Sequence, residues 1–176
     1  MKKIIIILAA ALAASAVSCK KETPLPEGGP ATYKIASRSK VNDEGILDIG
    51  KFLVGDSTTV KFYASTRNTG VREQLTATVA VPFGPERYLE SGVTLLPANC
   101  YTFAKNPVVI DRYNKNSRTA ELKIKFTDAL AAGKKYGLPV YLSKVEGSER
   151  ASVDTVNVIV VKMTLDQKPT TLMFNQ

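Results

Sequence analysis

An all-β fold, an immunoglobulin-like antiparallel sandwich of about seven to eight strands, is predicted by three features of this 176-residue chain. Short runs alternate apolar and polar residues at period two, as in Thr119-Ala120-Glu121-Leu122-Lys123-Ile124-Lys125-Phe126. Turn signals separate these runs: Asn68-Thr69-Gly70, Phe83-Gly84-Pro85, Asn114-Lys115-Asn116 and Glu146-Gly147-Ser148. Helical periodicity is weak outside Pro85 to Glu90 and Asp128 to Ala132. Regularly punctuated short strands of this kind pack as two sheets.

The strands follow in order once the pattern begins near Tyr33. Ile46 to Val54, Thr59 to Ala64 and Leu75 to Val81 come first, then Pro107 to Asp111. Thr119 to Phe126, Gly137 to Val145 and Val153 to Met163 follow, with Val156 to Val161 apolar enough for a central strand. Thr170 to Phe174 is a candidate closing strand and a candidate open edge for pairing with another chain. Leu96-Pro97 and Leu138-Pro139 are read as marking where strands begin, because proline lacks a backbone donor. Tyr101 and Tyr136 are read as packing residues.

Residues before this pattern have another character. Lys2 and Lys3 precede an apolar run from Ile4 to Ala14, then small residues up to Ser18. That is the layout of a secretory signal, and the apolar stretch is short for a membrane span. Ala16-Val17-Ser18-Cys19 resembles the lipobox of bacterial lipoproteins, apart from Ala16 where leucine is usual. The expectation is a signal peptide over 1–18, acylation of Cys19, a Pro/Gly-rich tether over 19–31 and one sandwich domain over 32–176. The expected location is the outer membrane, lipid-anchored, with the periplasmic and cell-surface faces both open.

Composition excludes much chemistry. The chain has no histidine, so it holds no Ser-His-Asp triad, no Cys-His pair and no histidine-ligated metal. With Cys19 acylated, Cys100 has no cysteine to pair with and is read as a buried small hydrophobe. Asp43-Glu44 and Glu86/Glu90 are the nearest thing to paired acids, and no cleft is inferable for them. No cofactor, no metal and no catalytic residue are expected. Asp56-Ser57-Thr58 and Asp154-Thr155-Val156 resemble a short O-glycosylation signal of exported proteins.

The net charge is +8, and two of those charges, Lys2 and Lys3, lie in the leader. The basic excess concentrates between Arg112 and Lys135, with Lys123 and Lys125 on one strand face. Two readings stand: attraction to phosphorylated lipid or acidic polysaccharide, or a solvated strand face where lysine discourages edge-to-edge pairing, which is preferred. Nucleic acid is not an expected partner, since aromatic interleaving is lacking. Tyr63, on the polar side of its strand, is a candidate glycan contact.

The chain also resembles a known family. The segments that carry the likeness, in order, are Leu75 to Pro82, Glu86 to Gly92, Leu95-Leu96-Pro97-Ala98-Asn99-Cys100-Tyr101, Val108 to Ile110, Ala120 to Phe126, and Gly133-Lys134-Lys135-Tyr136-Gly137-Leu138-Pro139-Val140. They are similar to the domain of unknown function found N-terminally in many Bacteroidetes surface lipoproteins. Those include family 18 endo-β-N-acetylglucosaminidases and Sus-type surface glycan-binding proteins. The resemblance implies an immunoglobulin-like sandwich at the outer membrane. The expected function is a non-catalytic spacer or interaction module of surface glycan acquisition, anchored in the membrane by lipid and partnered by a glycan or a transporter-complex protein. The alternatives are a carbohydrate-binding module in its own right and a strand-pairing subunit of a surface assembly.

Overall fold

A computed structural model describes residues 29–166. The leader, Cys19, most of the tether and the Thr170–Phe174 strand candidate lie outside the described residues. Eleven strands are present among those described: β1 (Ala31–Ser37), β2 (Ile46–Phe52), β3 (Ser57–Ser65), β4 (Leu75–Ala80), β5 (Val93–Leu95), β6 (Tyr101–Ala104), β7 (Val108–Ile110), β8 (Ala120–Lys125), β9 (Lys135–Glu146), β10 (Ala151–Val153) and β11 (Val158–Leu165). They form the expected two-sheet sandwich. The first sheet has the order β10-β1-β3-β8-β6 and the second β2-β11-β9-β4-β7, with β5 also paired to β9.

Two details differ from the expectation. The count is higher because β5, β6 and β10 are only three or four residues long and too brief to show a period, whereas β7 falls within the expected Pro107 to Asp111. The ladders are also not all antiparallel, since β1–β10, β2–β11 and β5–β9 run parallel. Of the two helical candidates, Pro85–Tyr88 is one 3-10 turn, and residues 128–132 form turns with no helix.

The core lies between the sheets. The first sheet contributes Tyr33, Phe62, Leu122 and Ile124, and the second Leu47, Leu138, Leu142 and Met163, all buried. Each such side chain contributes about 1.5–3 kcal/mol by leaving water. Cys100 is buried and unpaired among them, as its apolar neighbours predict. Two clasps tie sheet to sheet. Phe52 at the end of β2 stacks on Phe126 just after β8, ring centroids 4.4 Å apart. Towards the opposite end of β3, buried Asn157 accepts from the Ile35 amide of β1 and donates to the Leu142 carbonyl of β9 at 2.8 Å.

The prolines correct one reading. Pro97 precedes the 3-10 turn Ala98–Cys100, but Pro139 sits inside β9 and starts no strand. The ladder explains why it is tolerated. The Gly137 carbonyl accepts from the Leu96 amide at 2.9 Å, so β9 faces β5 at that point. Pro139, two residues on, presents its backbone to the same side. There β5 has ended and β4 begins pairing only at Tyr141, so no partner acceptor is left wanting a donor.

Candidate functional site

The strand period fixes what the first sheet shows to solvent. In β3, Val60, Phe62 and Ala64 point inward, which turns Ser57, Thr59, Lys61, Tyr63 and Ser65 outward. Register then places the neighbours. Lys125 lies opposite Ser57, Lys123 opposite Thr59, Glu121 opposite Lys61, Ala36 opposite Tyr63 and Lys34 opposite Ser65. Thr102 of β6 lies opposite Lys123 on the other side. The outer face therefore carries a line of cations: Lys125, Lys123, Lys61 and, beyond Tyr63, Lys34.

Lys34, Lys61, Lys123 and Lys125 are all exposed, and among the described residues none of them makes an ion pair. Glu121 is the one acid within these five strands. The Lys105 ammonium donates to it at 2.6 Å. That hydrogen bond, with the charges of Lys105, Lys61 and Lys123, holds its carboxyl below the usual glutamate range. The face thus keeps a positive field with its carboxylate already engaged.

Tyr63, the candidate glycan contact, is half-buried on this face with Ala36 across the ladder. The other tyrosines give no aromatic platform: each is buried or half-buried. Tyr136 packs as expected, its hydroxyl accepting from the Ala131 amide at 2.8 Å. Phe83, in the turn after β4, is 94% exposed, which the Pro-Gly setting masked as a mere turn signal in the sequence.

Several acids have structural work. Asp48, Asp56 and Asp154 each accept a nearby backbone amide, and Asn42 does the same for Glu44 and Ile46. Glu90 pairs with Lys162 of β11 at 2.8 Å and pins the segment between β4 and β5. A cleft of about 540 Å³ opens beside Ser37, Asn42, Glu44 and Val156. Its buried polar side chain, Asn157, already spends both amide ends on backbone. No cluster of metal-ligating side chains occurs among the described residues, and none of their helices is long and apolar enough to cross a membrane.

The sequence pattern located Lys123 and Lys125 but not their company. Arg118 of the same basic stretch pairs with Asp111, and Lys135 belongs to the other sheet. Lys34 and Lys61 come from distant segments. Their outward positions were readable from period two, but their adjacency needed the register.

The described residues form a two-sheet β-sandwich whose first sheet presents a polar, lysine-bearing outer face. The family whose model matches is described as a "-like, N-terminal domain" and its match spans residues 32–149; the chain belongs to that N-terminal-domain family. Among solved structures it is similar to a candidate carbohydrate-binding protein of Bacteroides ovatus (15% identity, TM-score 0.58, 77% of this chain and 38% of that one). It is also similar to a two-domain protein of unknown function from Bacteroides fragilis (17%, 0.58, 77% and 46%). A third is EndoBT-3987 of Bacteroides thetaiotaomicron, solved with a Man5GlcNAc product (16%, 0.50, 65% and 28%). At these identities the likeness shows a shared fold. The chain spans less than half the length of each. No curated protein matches it.

Proposed function

We propose that this chain is a lipid-anchored outer-membrane protein whose sandwich serves as a non-catalytic spacer or interaction module in surface glycan acquisition. Cys19 is the acylated residue, and residues 20–31 carry the domain away from the bilayer. The observation that carries the reading is the family match over 32–149, to a domain that is N-terminal by description. The two solved relatives with glycan-related names support the setting. The engagement of Asp48, Asp56, Asp154 and Glu90 in turns and an ion pair supports the non-catalytic part.

The intact mass of protein extracted from membranes tests the anchor. The expected species starts at Cys19 and carries acyl chains, and Cys19→Ala leaves the protein unacylated. A soluble, unmodified mature chain overturns the anchoring. Robust glycoside turnover by the purified protein overturns the non-catalytic part. The second reading, glycan binding by the domain itself, draws on the outward Tyr63 and its lysine neighbours.

A further inference from the structure

We infer that the outer face of the first sheet binds an extended acidic polysaccharide, one bearing uronate carboxylates, laid along β3. The inference rests on the glycan-associated reading above and names the class of glycan.

The cations lie in a line and not in a cluster. From Ser57 to Ser65 the strand runs about 26 Å at roughly 3.3 Å per residue. Lys125, Lys123, Lys61 and Lys34 mark that length in turn, with Tyr63 between the last two. Beyond Ser65 the line meets a cleft of about 300 Å³ lined by Thr32, Lys34, Ser65, Arg67, Asn68 and Asp154. A linear polymer with regularly spaced negative charges matches such a row better than a compact ion does.

Aggregation control does not account for these lysines. It belongs to edge strands, and the edges of this sheet are β10 and β6. Lys61, Lys123 and Lys125 stand on β3 and β8, and Lys34 on β1, all inner strands of this sheet, and Lys123 has paired residues on both sides. Like charges on adjacent strands repel, and among the described residues only Lys105 spends its charge on the local carboxylate. An external polyanion completes the balance.

The polar company fits a sugar. Thr59 and Thr102 flank Lys123, and Tyr63 offers a half-exposed ring beside Lys61. An anionic lipid surface fits less well. The large exposed apolar side chains, Phe83 and Val156, lie outside these five strands, so this face has nothing to insert into acyl chains.

The test is titration calorimetry of the full chain in detergent micelles with polygalacturonate. Neutral dextran and phosphatidylglycerol vesicles serve as comparison probes. The expected result is saturable binding to polygalacturonate, none to dextran, and an affinity at least about tenfold weaker in roughly 200 mM salt than in 50 mM. Lys61→Gln/Lys123→Gln/Lys125→Gln should weaken binding about tenfold or more at unchanged Tm. The matching arginine triple and Lys51→Gln/Lys135→Gln/Lys144→Gln on the other sheet should keep it. No binding to polygalacturonate, equal binding by the glutamine triple, or binding to dextran or the vesicles alone overturns the inference. Each of those results leaves the anchor untouched, because the mass of the extracted protein tests that separately.

Discussion

Asn157 shows how much one side chain carries in this sandwich. It satisfies an amide of one sheet and a carbonyl of the other from a nearly inaccessible position. Asn157→Ala leaves both unpaired. The expected cost is about 2 kcal/mol, read as a Tm lower by roughly 5–10 °C. Tyr33 is the opposite case. Its hydroxyl is buried and lies against the Val71 backbone without a well-formed hydrogen bond. Burial pushes the phenol up, partly offset by that amide. Tyr33→Phe should therefore be neutral or stabilise by up to about 1 kcal/mol in urea denaturation. Neither role was legible in the sequence. Val156-Asn157-Val158 reads as part of an apolar run, and only the fold shows that the chain turns there before β11 begins.

The strands differ in how plainly the sequence shows them, for a physical reason. β3, β4 and β8 are long enough for one face to be buried along several residues, so their alternation is clear, whereas β9 is buried on both faces from Tyr136 to Val140. β5 and β10 are three residues each and are held by parallel neighbours, which leave no periodic trace. The candidate site divides the same way: Lys123 and Lys125 share one strand, whereas Lys34 and Lys61 reach them only through pairing. Two predictions belong here. Gly70 lies under the segment after β7, where an added Cβ would come within 2.3 Å of the Asn114 carbonyl oxygen. Gly70→Ala should cost about 1–3 kcal/mol, seen as a lower urea midpoint at unchanged slope. In β8, Glu121 has a folded-state pKa below its unfolded value, chiefly through the Lys105 hydrogen bond. Its contribution is present above the ordinary glutamate range and lost as pH falls through the lower folded value. Glu121→Gln should flatten that part of the acid limb when urea midpoints are compared from pH 7 down to pH 3. An unchanged limb would assign the acid sensitivity to other carboxylates.

On the scale of the molecule, both ends of the described domain are strands with neighbours on either side. β1 lies between β10 and β3, and β11 between β2 and β9. Neither can be peeled away as a rim, so a pull along the strand direction at either end must shear two hydrogen-bonded ladders together. Under the proposed anchoring through Cys19, that arrangement would be a mechanical one. Drag on a bound partner would be resisted by many bonds loaded in parallel, and the join nearest the proposed anchor would be among the last places where the sandwich tears.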